Sequence, residues 1–255
     1  MAARARRGIA GGGGVKQKPP PVEGREGDEP GGGWGEWLRS LLLAVILFLF
    51  LRTFVIGTFV ITSGSMEDTL LVGDFVVVNR VALGARIPRT EYRLPGYASP
   101  EVGDVLVFDP SHEPDLRLVK RVVGMGGDVL EMRDGVLYRN GDAPPEPFVQ
   151  RRDPRGNEGH PWMVWQLDHL APGVDRSTYS PTRDDWGPLV VPPDHFFMLG
   201  DNRDQSLDSR YWGLIERWRI EGRASFLYFS YDRDSPRPFN FIRDARWGRM
   251  FDPVR

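Results

Sequence analysis

The stretch Ser40 to Leu51, SLLLAVILFLFL, constrains this chain more than any other. It has no charge and no polar face, so a helix built from it has no side to turn toward water. Taken with its flanks, from Trp34 to Arg52, it extends over about 19 residues, or roughly 28 Å at the helical rise, close to one hydrocarbon core. Trp34 and Trp37 suit an interfacial aromatic belt, and Arg39 and Arg52 can lift their charges to the two faces. A buried core helix would carry a polar stripe. A cleaved signal would be followed by suitably spaced small residues, and Arg52-Thr53-Phe54-Val55 is not such a site. The expectation is an uncleaved anchor over 34–52, crossing once, because no second long apolar run follows.

The anchor divides the chain. Residues 1–33 contain Gly11 to Gly14, Pro19 to Pro21 and Gly31 to Gly33, with little to bury, and read as a disordered tail. Arg4, Arg6, Arg7, Lys16, Lys18, Arg25 and Arg39 precede the span, whereas the first basic residue after Arg52 is Arg80. Positive charge stays on the cytoplasmic side. The tail is therefore expected in the cytoplasm and residues 53–255 outside it, with the lipid bilayer as a partner.

In the 255 residues, 33 Lys and Arg face 35 Asp and Glu, a formal net charge of −2. That argues against a nucleic-acid-binding role, which needs a basic surface. Cys is 0, which excludes a disulfide framework, thiol catalysis and Cys-ligated zinc. Beyond Thr53 the pattern is short β-branched runs cut by turns: Thr58–Thr62, Phe75–Asn79, Asp104–Phe108, Arg117–Val123, Val129–Arg133, Val136–Arg139 and Ala224–Tyr231. Asp134-Gly135 is a strong hairpin turn between two of them. This predicts a mainly β domain of folded-sheet or barrel type. Residues 141–193, rich in Pro, Asp, Arg and Trp, are too long for a tight connection and are expected to form an inserted cap or second lobe.

Three places carry chemistry-bearing residues. Ser63-Gly64-Ser65-Met66 follows an apolar strand, where a serine can expose its hydroxyl beside backbone N–H groups able to hold an oxyanion. Alone, the tripeptide is usually just a turn. Lys120 alternates with Leu118 and Val122 on one face of a strand. Among aliphatic neighbours its ammonium is disfavoured and it can act as a base, although a lysine on an edge strand can also snorkel to water. Met198 to Gly213 is dense in polar residues yet flanked by Phe196-Phe197 and Tyr211-Trp212, as in a structured polar network around a site. His112, His160, His169 and His195 lie in loops without metal-pair spacing, and no metal or cofactor is expected.

Together and in this order, the anchor, SGSM (63–66) with Thr69-Leu70, GDFVVVNR (73–80), GDVLVF (103–108), KRVVGMGGD (120–128) and GDNRDQSLDSRYWG (200–213) resemble the bacterial type I signal peptidases, or leader peptidases. The resemblance covers nearly everything after about Trp37. It implies a serine endopeptidase of the inner membrane that removes signal peptides from exported preproteins, with the secretion machinery as a further partner. It implies a Ser65 nucleophile, a Lys120 general base, and an oxyanion hole from Ser63 and the Ser65 N–H. Ser206 would orient Lys120, and Asp208 with Arg210 would brace the site. Phe59, Ile61, Met66, Leu70 and Val119 match positions that line S1 and S3 pockets for small side chains. Asp68, preceded by Glu67, stands where the family often has Pro, and Gly126 where Pro is common. Residues 141–193 match none of these motifs. A self-cleaving Ser-Lys repressor would instead need a DNA-binding helix-turn-helix and no anchor. An inactive anchored binder of exported chains would be expected to have a broken dyad.

Overall fold

The computed structural model describes residues 34–111, 113, 116–153 and 156–255. The expected cytoplasmic tail and His112 lie outside them. Helix α1 (Trp34–Phe50) continues through a π turn at Leu51–Val55 and has no buried residue. Among the described residues, one helix is long and apolar enough to cross a membrane: Trp34–Val55, 22 residues with a mean hydropathy of 2.2. At the helical rise that is about 33 Å. The carbonyls at its end do not lack donors. The Arg80 Nη1 donates to the carbonyls of Arg52 (3.1 Å) and Thr53 (2.9 Å), and the Arg80 N–H to that of Val55 (3.0 Å).

The described residues then form ten strands: β1 (Ile56–Val60), β2 (Asp74–Asn79), β3 (Val105–Phe108), β4 (Leu118–Met125), β5 (Val129–Arg133), β6 (Val136–Arg139), β7 (Trp186–Val190), β8 (His195–Leu199), β9 (Ile215–Glu216) and β10 (Ile220–Ser230). Seven of them make an antiparallel sheet in the order β1-β2-β10-β3-β4-β8-β9, curled into a half-barrel. The last strand in sequence, β10, therefore lies between β2 and β3. Alternation along β2 (Val76 and Val78 fully buried, their neighbours half-buried) is the period of a sheet with one face on the core. The β5–β6 hairpin turns through Asp134 (φ 49°) and Gly135 (φ 75°), the left-handed pair that a tight two-residue turn requires.

Residues 141–193, expected as an inserted cap or second lobe, contribute to a second sheet. Trp186–Val190 is a strand, β7, which pairs with β5 to complete a second, three-stranded sheet. Met163, Trp186 and Leu189 share one core cluster with Leu130, Met132 and Leu137 of that sheet and with Phe197 and Leu199 of β8. The Trp186 ring stacks on Phe197 at 4.9 Å. Polar composition concealed this, because Met163, Trp186, Leu189 and Val191 carry the burial while Trp162 and Val164 stay exposed and several Asp and Arg residues pair with one another. Trp212, which could equally have served a membrane-facing surface, instead packs on Phe108 (5.7 Å), whereas Trp247 and Phe251 are exposed.

If residues 141–193 belong to the body, Trp186→Ala should destabilise the whole domain by about 3–5 kcal/mol, the usual cost of emptying a large aromatic site. Denaturant unfolding followed by intrinsic fluorescence and by far-ultraviolet dichroism should then give a single lowered midpoint. A detachable lobe would instead melt separately and leave the main transition in place.

Candidate active site

Beyond β1 the chain keeps its pairing for one more step: the Ile61 N–H donates to the Asp74 carbonyl (2.8 Å), and the Gly73 N–H to the Ile61 carbonyl (3.0 Å). It then turns through a single 3-10 turn at Gly64–Met66. Met66 and Leu70 are buried in the core below, and the Leu70 N–H donates to the Met66 carbonyl. From above, Asn202 holds the same turn. Its backbone N–H donates to the Ser65 carbonyl (3.1 Å) and its side-chain amide to the Gly64 carbonyl (3.2 Å). Ser65 is thereby fixed between an apolar floor and a polar strap.

Lys120 lies in β4, and its Nζ hydrogen-bonds the Ser65 Oγ at 2.5 Å. It is 2% exposed and Ser65 8%. Leu118 and Val122, its neighbours in the sequence alternation, pack in one apolar cluster with Leu106, Phe108 and Met198. Burial pushes the Lys120 pKa down to about 8, against the opposing pull of the Asp208 and Asp201 carboxylates, with the Arg210 charge acting in the same direction as burial.

Asp208 and Arg210 are fully buried and joined by two hydrogen bonds, Nε to Oδ1 and Nη2 to Oδ2, each 2.8 Å. Burial disfavours the Asp208 carboxylate, but the charge and hydrogen bonds of Arg210 prevail and hold its pKa below the usual range. The pair also ties the strap to β8: the Gly200 N–H donates to Asp208 Oδ2 (3.2 Å) and the Met198 N–H to Ser209 Oγ (2.9 Å). From residues 141–193, Trp165 Nε1 and Gln166 Nε2 donate to the Arg210 carbonyl (3.2 and 2.9 Å).

The other residues named from sequence fall as follows. Ser63 is exposed, its hydroxyl 3.4 Å from the Ser65 Oγ. Ile61, Met66, Leu70, Phe59 and Val119 meet in one cluster with Val76, Val105 and Leu227. Ser206 is buried, and its hydroxyl helps to hold the Asp208 pKa down; among the described residues no hydrogen bond joins it to Lys120. It packs where Gly200 leaves room: a Cβ at Gly200 would lie 2.2 Å from the Ser206 Oγ and 2.4 Å from the Ser65 carbonyl oxygen. Close approach of two backbones is the reason for glycine there.

Sequence reasoning passed over a second buried ion pair. Arg121 donates to Asp201 through Nε (2.8 Å) and Nη2 (2.6 Å), and Asp201 also accepts from Thr69 Oγ1 (2.6 Å). The signal was available, since alternation puts Arg121 opposite Lys120 and Asp201 stands in the polar stretch already singled out. Glu67 and Asp68 also gain a role: Arg152 pairs with them at 2.9 and 3.4 Å, so the loop after Ser65, in which Asp68 has φ 77°, is clasped by charge.

The site is thus a buried lysine hydrogen-bonded to a serine at a strand end of a half-barrel sheet. The comparisons with known proteins narrow it. The family model "Signal peptidase, peptidase S26" matches residues 34–229. Signal peptidase I of Pseudomonas aeruginosa is 34% identical over 229 residues, covering 84% of this chain and 78% of that protein. Signal peptidase I S of Bacillus subtilis is 30% identical over 209 residues, covering 82% and 91%. A signal peptidase I structure from Enterococcus faecalis covers 50% of this chain and 97% of its own, at 27% identity and a TM-score of 0.34. The chain belongs to the signal peptidase, peptidase S26 family, and it is a serine endopeptidase of the signal peptidase I kind.

The two kinds of ion pair should differ sharply on substitution. Asp208→Asn leaves a guanidinium buried without its partner and should cost about 3–5 kcal/mol of stability. Arg152→Gln breaks only part-exposed pairs and should cost less than about 1 kcal/mol. Denaturant midpoints of the two variants, measured side by side, check this order.

Proposed function

We propose that Ser65 is the nucleophile and neutral Lys120 the general base in removing N-terminal signal peptides from exported preproteins. The observation that carries the reading is the Lys120–Ser65 hydrogen bond inside a water-poor pocket. The Ser65 hydroxyl proton passes to Nζ as Oγ bonds to the scissile carbonyl carbon. The Lys120 ammonium then gives that proton to the leaving amine, and an acyl-enzyme remains. A water molecule gives a proton to Lys120 and attacks the acyl carbon; as the bond from that carbon to Oγ breaks, the ammonium returns the proton to Oγ and frees Ser65. The Ser63 hydroxyl and the Ser65 N–H hold the oxyanion. Asp208 and Arg210 brace the base, and Ser206, which acts on the Asp208 carboxylate, helps to orient it.

The substrate is read as an added strand. β1 is an edge of the large sheet, and β8 pairs with β4 only from Arg121 onward, so Leu118–Lys120 keeps one edge open. A segment lying between these two edges would satisfy both. Its alternate side chains would meet Ile61, Met66, Leu70 and Val119 at P1 and the Phe59 side of the cluster at P3. With Met66 and Leu70 already buried, little depth is left, which favours small P1 and P3 residues. The basic-residue asymmetry about the span supports a cytoplasmic N-terminus and an extracytoplasmic catalytic domain in the inner membrane. The preprotein's own apolar segment would lie in the same bilayer.

Ser65→Ala and Lys120→Ala should each remove cleavage of a preprotein by several orders of magnitude without unfolding the domain. Lys120→Arg should fail as well, because guanidinium keeps its proton. Near-normal turnover by Lys120→Arg would exclude lysine as the base.

The pH dependence follows from the sign of the Lys120 shift. Only the unprotonated amine is a base, so with a pKa of about 8 the competent fraction rises from about a tenth at pH 7 to about nine tenths at pH 9. Initial rates at saturating substrate should rise close to tenfold over that interval. The acid limb should persist when His160, His169 and His195 are replaced.

Specificity should be lopsided. Preproteins with Leu or Phe at P1 should be rejected strongly, since overfilling a packed site is costly. Ala and Gly should differ by only about 1–3 kcal/mol. Cleavage-site mapping by mass spectrometry on a P1 series tests this, and efficient cutting after Phe would overturn the pocket assignment.

A further inference from the structure

Away from Ser65, where the chain leaves the span, a cleft of about 500 Å³ opens beside Thr53. Five arginines line it: Arg80, Arg86, Arg89, Arg117 and Arg219. Only two carboxylates do, Asp109 and Glu221. These two sit low in the wall, their side chains 5% and 11% exposed, and each is shared between arginines. Asp109 takes Arg86 and Arg117, and Glu221 takes Arg80 and Arg117. Arg219 pairs outside the cleft with Glu216, and Arg89 is exposed with no carboxylate partner among the described residues.

A lattice of surface ion pairs needs no surplus of one sign. Here the lining carries three more cations than anions, and the surplus extends behind it. Arg93 donates to the carbonyls of Ile220 and Gly84 beneath the cleft, and burial followed by the charges of Arg217 and Arg86 pushes its pKa down to about 10. Like charges held together in this way repel until an anion enters. Guanidinium forks from separate segments suit a group with several oxygens on one centre, which is the geometry of phosphate.

The position identifies the source of such a group. The apolar helix ends at Val55, so Thr53 and its surroundings stand at the depth of lipid headgroups. Trp218 lines the same cleft, with the Arg219 guanidinium 4.3 Å and the Arg86 guanidinium 5.7 Å from its ring. Tryptophan beside basic residues is the usual side-chain dress of the membrane interface. We propose that this cleft binds an anionic phosphate group, carried by an anionic phospholipid at the foot of the span or supplied as free phosphate. The site is separate from the peptidase site and does not depend on the Ser-Lys reading or on which side of the membrane the domain lies.

The test uses the full chain in detergent. Native mass spectrometry with added phosphatidylglycerol or phosphatidylcholine measures lipid retention, and thermal unfolding with inorganic phosphate or chloride at matched ionic strength measures the free anion. Phosphatidylglycerol should be held at least tenfold more tightly than phosphatidylcholine. Arg89→Gln/Arg219→Gln, which leaves the Asp109 and Glu221 pairs intact, should abolish that preference, whereas Arg133→Gln/Arg176→Gln removes equal charge elsewhere and should keep it. A phosphate-specific rise in unfolding temperature, lost in the same variant and without lipid preference, would assign the site to free phosphate. Should the double variant unfold, Arg89→Gln alone carries the comparison, since that side chain supports no other residue. The proposal is overturned if neither lipid charge nor phosphate has a specific effect, or if the cleft variants retain the effect undiminished.

Discussion

A lysine acts as a base near neutral pH only where its ammonium is made costly, and the large sheet is arranged around that cost. In water the amine keeps its proton to about pH 10.4. At 2% exposure on β4 it loses hydration that nothing fully replaces, and its pKa falls to about 8. Such a position is available only in the middle of a sheet whose inner face is already closed by other side chains. The curled half-barrel provides it, and Met66, Leu70 and Val105 close the floor from the Ser65 side.

Two carboxylates next to this lysine would ordinarily defeat the arrangement, since Asp201 and Asp208 both favour its charged form. Each has its own guanidinium. Arg121 takes Asp201 through two nitrogens, and Arg210 takes Asp208 in the same way. Both carboxylates are also structurally useful, accepting from Thr69 and from the Gly200 N–H. Buried ion pairs contribute little net stability in general. Here they make it possible to place polar straps against the site while leaving the amine close to neutral pH.

Much of this was legible in the residues, for identifiable reasons. The span announced itself by lacking any polar face. The β5–β6 hairpin was marked by Asp134-Gly135, and its ends matched because turn chemistry is local. Strand alternation placed Lys120 with Leu118 and Val122, and all three lie at or near the core. What escaped was non-local. Strand β7 is short and sits among Asp, Arg and Pro, so only its pairing with β5 reveals it. The Arg121–Asp201 pair joins residues 80 positions apart, and no local periodicity records such a match. The clasp of Arg152 on Glu67 and Asp68 is likewise a contact between distant segments. The sequence marked both carboxylates as a departure from the familiar proline without marking what would hold them.

The place of β10 sets when the protein can become an enzyme. The turn bearing Ser65 hangs from β1 and β2, while Lys120 belongs to β4, beside β3. Between these two halves of the sheet runs β10, residues 220–230, the last strand to leave the ribosome. Until it is laid in, β1-β2 and β3-β4-β8-β9 are separate pieces with open edges, and serine and lysine lie on different ones. Contacts of such long sequence separation form late in folding. The fold thus keeps Ser65 and Lys120 on separate pieces of sheet until β10 has joined both of its neighbours.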